Sequence, residues 1–128
     1  MTTNNMQRVS SKVIYPELSY KIVGILFEIH KELGRYAREK QYADMLEKKL
    51  KCCGVNYKRE LAISNTGNVL DFLIEDKIIL ELKSVRQIYR EHYRQLQNYL
   101  QQTNCKLGIL VNFRTRHLKP TRIIKVDT

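Results

Sequence analysis

The stretch VLDFLIEDKIILELK, residues 69–83, contains two mostly apolar runs that are separated by three polar residues. Two β-rich runs around a short polar break predict a tight antiparallel hairpin. If Ile74 pairs with Ile78, the register places Asp71 directly opposite Glu81. Opposed Cβ atoms in such a pair lie roughly 5 Å apart, so the two carboxylates are expected to be near neighbours.

The acids of this hairpin are accompanied by a lysine. Since side chains alternate between the two faces of a strand, Asp71, Glu81 and Lys83 are expected to share one face. Two opposed carboxylates repel each other unless a positive charge lies nearby. Either Lys83 neutralises the pair, or the face is open to solvent, or the carboxylates bind a hard metal ion such as Mg²⁺.

Hydrophobic periodicity on both sides of the hairpin predicts three helices and three further strands. Pro16 suits the first turn of a helix, and Gly34 is typical of a helix end. The run 106–113 is almost entirely apolar, which favours a central, buried strand. The predicted helices span 17–33, 36–50 and 88–102, and the predicted strands span 55–63, 69–74, 78–83, 106–113 and 122–126.

This order of elements is typical of an α/β fold with a mixed central β-sheet flanked by helices. The third helix is expected to cross over from the third strand to a parallel fourth strand. A chain of 128 residues suits one hydrophobic core. We therefore expect a flexible N-terminal arm over residues 1–15 and a single domain over residues 16–128.

Composition indicates the class of partner. A formal charge of +10 favours polyanionic partners, with nucleic acid first among them. No apolar run approaches the ~20 residues needed to cross a bilayer, and the N-terminus lacks the apolar stretch of a secretory signal. We expect a cytoplasmic protein without membrane contact, with its three cysteines reduced. A homo-oligomer is compatible with the sequence.

An ordered set of motifs surrounds the hairpin. Asp71 is followed after nine residues by Glu81-Leu82-Lys83, a D…ExK pattern that lies between two predicted helices. The other motifs occur in order along the chain at 15–16, 29–34, 39–42, 95–99 and 108–113. Together they resemble the GxxExxY protein family of the PD-(D/E)XK nuclease superfamily. The resemblance implies a restriction-endonuclease-like core and a nuclease-like domain over residues 16–128.

The resemblance also implies a metal site and its chemistry. Asp71 and Glu81 correspond to the metal ligands, assisted by the backbone carbonyl of Leu82. The implied cofactor is Mg²⁺ or Mn²⁺, both of which take oxygen ligands. Lys83 corresponds to the catalytic lysine beside the attacking water.

Three further residues are implied to be catalytic. Glu39 matches an acid that binds the metal from the preceding helix, often through water; the alternative is an exposed helix acid paired with a nearby arginine. Gln95 and Tyr99 match a QxxxY pattern on the helix that follows the ExK strand. Because they are four residues apart, they lie on one helical face, although ordinary surface positions would also account for them.

One residue departs from the family pattern. The family has glycine three residues before the glutamate, whereas this chain has Tyr36. Glycine is typically used for positive φ or for close backbone approach. A tyrosine there either changes the start of the second helix or fills space that a ligand could use.

Basic residues near the C-terminus are candidates for phosphate contacts. Arg114, Arg116, His117 and Lys119 form a predicted basic loop after the fourth strand. His30 and His92 lie inside amphipathic helices and are interpreted as packing residues.

Charge, motifs and resemblance together favour a metal-dependent nuclease that hydrolyses nucleic-acid phosphodiester bonds. The alternative is a catalytically weak or inactive nucleic-acid-binding module on a nuclease scaffold. A third hypothesis is an accessory protein whose carboxylates form only an ion pair. The sequence does not distinguish DNA from RNA, or endonuclease from exonuclease action.

Overall fold

The structure of the protein is a computed structural model that describes residues 14–127. The predicted N-terminal arm therefore lies outside the described residues except for its last two. The elements follow the predicted order. The helices are α1 (Pro16–Leu33), α2 (Glu39–Cys52) and α3 (Arg90–Thr103), and the strands are β1 (Tyr57–Ala62), β2 (Val69–Ile74), β3 (Ile78–Lys83), β4 (Leu107–Asn112) and β5 (Thr121–Ile124).

The five strands form one mixed sheet in the order β1-β2-β3-β4-β5. Neighbouring strands are antiparallel except for β3 and β4, which are parallel and are connected by α3. The predicted crossover is thus confirmed, as is the restriction-endonuclease-like α/β architecture. Lys83 pairs with Asn112, so the carboxyl ends of β3 and β4 lie together at one edge of the sheet.

The β2–β3 hairpin has the predicted register, with Ile74 opposite Ile78. The N–H of Lys77 donates to the carbonyl of Ile74 at 2.9 Å and closes the turn. The two central residues, Glu75 and Asp76, both have positive φ, at 52° and 56°. Such turns match the right-handed twist of a hairpin, although positive φ is less favourable for Glu75 than for glycine or asparagine.

Two hydrophobic clusters cover the two faces of the sheet. The first, the helix-pair cluster, joins α1 and α2 to one face through fully buried residues that include Leu26, Leu46 and Phe72. The second, the crossover cluster, packs α3 on the other face. A Cβ added to Gly108 on β4 would lie 2.9 Å from Leu96 of α3. Glycine at this position therefore allows the crossover helix to approach the sheet closely.

The second helix begins three residues later than predicted, at Glu39. The hydroxyl of the buried Tyr42 donates to the carbonyl of Gly34 at 2.5 Å and accepts from the N–H of Ala37 at 3.1 Å. This long side chain satisfies backbone groups that helical bonds would otherwise satisfy, so the turn before α2 stays non-helical. The remaining boundaries differ from the prediction by at most two residues.

Two helices begin with a side chain that bonds back to the backbone. Gln41 accepts from the Arg38 N–H at 2.8 Å, and Nδ1 of His92 accepts from the Tyr89 N–H at 2.8 Å. These bonds satisfy N–H groups at helix starts. His92 therefore has a structural contact. Within residues 14–127, no helix is long and apolar enough to cross a membrane.

Candidate active site

The ladder between β2 and β3 stops at the two acids. Its last described pair is Phe72 with Leu80. Beyond it, the N–H of Asp71 donates to Oε2 of Glu81 at 2.7 Å, and the N–H of Leu82 donates to Oδ2 of Asp71 at 2.8 Å. Each carboxylate therefore bonds to the backbone of the opposite strand. The strands separate here, and the acids occupy the gap.

Strand β2 changes face at Asp71. Leu70 packs in the crossover cluster, whereas Phe72 packs in the helix-pair cluster. In a regular strand, the two neighbours of one residue share a face, because side chains alternate. Asp71 therefore lies at a local break in the alternation. The predicted register is correct, but simple alternation does not describe where the Asp71 side chain points.

Strand β1 breaks its alternation beside Asp71. Tyr57 packs against the helix-pair cluster and Leu61 against the crossover cluster, although residues four apart share a face in a regular strand. Between them, Glu60 has a φ of 53°. A left-handed conformation costs a non-glycine residue roughly 1–2 kcal/mol. Glu60 was not predicted as a site residue, since its sequence context reads as ordinary strand.

The break opens a cleft of about 280 Å³. Carboxylates from three elements border it: Glu39 at the start of α2, Glu60 on β1 and Asp71 on β2. Leu82 of β3 also lies at its wall. The lining residues are Glu39, Lys40, Ala43, Arg59, Glu60, Asp71, Phe72 and Leu82. The cleft therefore brings together Asp71 with Glu39, two of the predicted site residues that are far apart in sequence.

Burial dominates the electrostatics of the acid pair. Glu81 is only 3% exposed, and loss of hydration together with the charge of Asp71 raises its pKa to about 8. Burial also raises the pKa of Asp71, against the opposing effects of the Leu82 N–H and the Lys83 charge. Both shifts mean that burial disfavours full ionisation of the pair, and that the charge of Lys83 does not fully offset it.

Glu39 interacts electrostatically with Asp71 and Lys83. Its pKa is raised first by partial desolvation and then by the charge of Asp71, whereas Lys83 and the backbone N–H of Ser84 lower it. Glu39 is exposed, as the alternative of an exposed helix acid expects. In the described part of the chain it forms no ion pair within 4.0 Å, so the arginine pairing in that alternative is not observed.

Lys83 lies beside the acids without pairing directly to them. Its charge lowers the pKa of Asp71, Glu81 and Glu39. Nevertheless, no ion pair within 4.0 Å joins it to any acid among residues 14–127. The interpretation in which Lys83 simply neutralises the pair is therefore not supported. The ammonium group has donor capacity that a further ligand could use.

The crossover helix brings Tyr99 to the acids. Tyr99 is buried, and its pKa is raised by desolvation and then by the charges of Glu81 and Asp71. Gln95, one turn earlier, is exposed. It borders a separate hollow of about 310 Å³ whose wall also includes Tyr99. Of the predicted QxxxY pair, the structure thus brings Tyr99 to the acids and leaves Gln95 at the neighbouring surface.

The predicted basic loop begins beside Lys83. The N–H of Phe113 donates to the carbonyl of Lys83 at 2.9 Å, which fixes the start of the loop at the site. His30 of α1 braces the loop through Nε2, 2.9 Å from the carbonyl of Thr115. Of the predicted loop residues, Arg114 is half-buried, whereas Arg116, His117 and Lys119 are exposed.

Asn112 is a positioning residue that the sequence prediction missed. Its side chain is buried, with Oδ1 accepting from the Val85 N–H at 3.0 Å and Nδ2 donating to the Val85 carbonyl at 2.8 Å. It thereby clamps the segment that leaves β3 just after Lys83. The sequence feature that could have identified Asn112 is a polar residue at the end of an otherwise apolar strand.

Replacing Glu60 with glycine is expected to stabilise the fold by about 1 kcal/mol, because glycine adopts positive φ without steric cost. Glu60→Gln is the matched control, since it removes the charge and keeps the backbone restriction. Urea unfolding of both variants measures the difference. Equal stability of the two variants would show that the backbone conformation at Glu60 carries no strain.

The stability of the metal-free protein is expected to fall as pH rises from about 4.5 to about 8. In this window the folded state holds a proton on Glu81 that the unfolded state has already released, so deprotonation favours unfolding. Glu81→Gln should flatten the profile, which thermal unfolding across this pH range would measure. A wild-type profile that rises over the window, or matches that of Glu81→Gln, would contradict the burial of an ionisable Glu81.

Comparison with solved structures supports the fold described above. A solved structure described as "Crystal structure of SSO0001" has a similar fold, with a TM-score of 0.50 and 23% sequence identity. The alignment covers 83% of this chain and 67% of that chain. At this identity the likeness supports the fold alone. A search of curated proteins finds no match to the chain.

The sequence also matches a family model. The model is that of the PD-(D/E)XK nuclease superfamily, and the match extends over residues 16–125. These residues include the three helices and five strands that the structure describes between residues 14 and 127, and the acids in the β2–β3 gap. The chain belongs to the PD-(D/E)XK nuclease superfamily.

Proposed function

We propose that the protein is a metal-dependent nuclease that hydrolyses phosphodiester bonds of nucleic acid, with residues 16–128 acting as one nuclease-like domain of the GxxExxY family. The observation that carries this proposal is the gap between β2 and β3. There, Asp71 and Glu81 are held close together, Lys83 lies beside them, and no ion pair neutralises either acid among the described residues.

The donor atoms at the gap fit a hard divalent cation. Only one oxygen of each carboxylate accepts a backbone N–H, from Leu82 or from Asp71. The Lys83 carbonyl bonds to β4, and carbonyls alternate in direction along a strand, so the Leu82 carbonyl is directed towards β2. Asp71, Glu81 and the Leu82 carbonyl would then hold Mg²⁺ or Mn²⁺.

No ready cage of side chains surrounds this site. Among residues 14–127, no group of three or more histidine, cysteine, aspartate or glutamate side chains is arranged to hold a metal ion. Mg²⁺ does not need one, because it is often held by one or two carboxylates and retains several waters. When bound, the cation would lower the pKa of a water and stabilise charge that develops on the phosphate.

Lys83 is proposed to hold the attacking water. Its ammonium group would donate a hydrogen bond to the water oxygen, and its charge would favour loss of a water proton. The new bond forms between that oxygen and phosphorus, and the bond from phosphorus to the leaving sugar oxygen breaks. The leaving oxygen then takes up a proton. Glu39 is close enough to Lys83 and Asp71 to orient further water at this site.

Tyr99, Gln95 and the basic loop are proposed to bind and position the substrate. Tyr99 approaches the acids from the face opposite α2. Gln95 lies one helical turn away at the surface, where it could contact a strand of nucleic acid that enters the site. Arg114, Arg116, His117 and Lys119 would contact phosphates without regard to sequence.

The alternative of a catalytically weak or inactive binding module depended on Tyr36. That tyrosine does not have positive φ, and the residue is 72% exposed. It therefore fits the turn without backbone strain and does not fill the cleft. Since Glu39 still lies within the electrostatic group of Lys83 and Asp71, no feature of the described residues favours loss of activity.

Wild-type protein with Mg²⁺ or Mn²⁺ is expected to cleave labelled nucleic acid, and Lys83→Ala should reduce the rate by about 100-fold or more, typical of losing a positioned acid–base or electrostatic group. A panel of single- and double-stranded DNA and RNA, analysed on denaturing gels, measures cleavage and substrate type. Lys58→Ala is the matched control, because Lys58 is exposed on β1 and pairs with Asp76.

One result of the cleavage panel would contradict the enzymatic proposal. If the wild type cleaves no member of the panel faster than Lys83→Ala does, the enzymatic proposal is wrong. Salt-dependent binding without cleavage would then favour the binding module.

A further inference from the structure

An aromatic ring flanked by two guanidinium groups lies next to the proposed active site. Tyr36 is 72% exposed. The Cζ atom of Arg35 is 5.0 Å from the centre of the Tyr36 ring, and that of Arg114 is 5.2 Å from it. We call these three residues the Tyr36 platform. Tyr36 as a whole remains largely exposed, although both guanidinium groups lie over its ring.

The Tyr36 platform is fixed by backbone contacts. Nε of Arg35 donates to the Arg114 carbonyl at 3.0 Å and so ties the turn before α2 to the loop after β4. On the other side of the ring residue, the N–H of Ala37 donates to the buried Tyr42 hydroxyl at 3.1 Å. These two bonds hold the backbone on both sides of Tyr36 before any ligand arrives.

The two guanidinium groups lack acidic partners. Within residues 14–127, neither Arg35 nor Arg114 forms an ion pair within 4.0 Å. Two like charges beside one ring repel each other, and cation–π contacts with Tyr36 offset this repulsion only in part. An anion placed between them would be stabilised. The guanidinium fork is especially suited to a phosphate group.

The Tyr36 platform is connected to the end of β3, where Lys83 lies. The Ser84 hydroxyl donates to the carbonyl of Ala37 at 3.4 Å, and Ser84 directly follows Lys83. The backbone N–H of Ser84 also lowers the pKa of Glu39. From the other direction, Arg114 lies two residues beyond Asn112, which pairs with Lys83. A nucleotide on the platform would therefore adjoin a phosphate at the site.

We propose that the Tyr36 platform binds one unpaired nucleobase of single-stranded nucleic acid, stacked on the tyrosine ring, with Arg35 and Arg114 at an adjoining phosphate. This inference rests on the proposed function and names the substrate class of the same site. Aromatic rings stack on bases whose faces are free, which is true of single strands and of bases displaced from a duplex. Bases within a duplex are already stacked on both faces.

The side chain at position 36 is the feature that distinguishes this chain. A glycine, as in the family pattern, would have no ring for a base to stack on. The tyrosine is accommodated without positive φ and is not one of the buried residues of the core. Its exposure next to two unpaired cations is explained if the ring meets a ligand.

The test measures binding in EDTA, so that metal-dependent cleavage does not interfere. Fluorescence anisotropy would follow single-stranded DNA and RNA of about 12 nucleotides, within the span of known single-strand sites, and the matching duplexes. The variants are Tyr36→Ala and Tyr36→Phe, with Tyr20→Ala as the matched control. Tyr20 is 74% exposed and lies on α1 in a separate apolar hollow.

Tyr36→Ala is expected to weaken binding of at least one type of single strand by about fivefold or more, as is typical for loss of one stacked base. Tyr36→Phe should retain near wild-type affinity, because it keeps the ring. Duplex affinity should be unchanged in both variants. Tyr20→Ala should behave as the wild type with every oligonucleotide.

Each other result overturns the inference. Equal single-strand affinity of Tyr36→Ala and the wild type would show that the ring does not stack on a base. An equal loss with duplexes would indicate a change in charge or fold. Absence of wild-type binding to any single strand would also overturn it. Failure of the proposed function is separable: a protein that binds through Tyr36 but does not cleave supports the platform and contradicts the nuclease.

Discussion

The structure depends on how two acids are kept together in the interior of a sheet. Asp71 and Glu81 lie where β2 and β3 would otherwise form a ladder, and each accepts a backbone N–H from the opposite strand. These bonds offset part of the cost of burying carboxyl groups, but they add no positive charge. A buried excess of negative charge remains, and the pKa of Glu81 is raised first by burial and then by the charge of Asp71. A divalent cation is the simplest group that would offset this excess.

The rest of the fold positions groups around this pair. The helix-pair cluster sets the start of α2, where Glu39 lies, and the crossover cluster brings Tyr99 to the other face. The stacked rings of Tyr42 and Phe113, with centroids 4.1 Å apart, connect α2 to the residue that follows β4. Because these supports come from different parts of the sequence, the site exists only in the folded chain.

Much of the fold could be predicted from local patterns. The hairpin register and the parallel crossover follow from strand periodicity and from the helix between two apolar runs, and both are confirmed. The start of α2 was predicted wrongly, since it depends on the Tyr42 hydroxyl reaching back to Gly34. Local propensity contains no signal for such a contact.

The site was predictable only in part, for a related reason. The proximity of Asp71 and Glu81 follows from the hairpin register. The change of face of β2 at Asp71 does not follow from it. The positive φ of Glu60 is imposed by neighbouring strands, and a glutamate gives no sequence signal of that conformation. Likewise, the spacing of Gln95 and Tyr99 predicts a shared helical face but not that only Tyr99 is buried near the acids.

Binding of a divalent cation at the gap can be measured by titration calorimetry with Mn²⁺. The wild type is predicted to bind the ion, Asp71→Asn to lose this binding, and Asp76→Asn to retain it. Asp76 is a suitable control because it is an exposed aspartate in the hairpin turn, and asparagine tolerates its positive φ. Equal binding by the wild type and Asp71→Asn, or no binding by the wild type, would contradict the account.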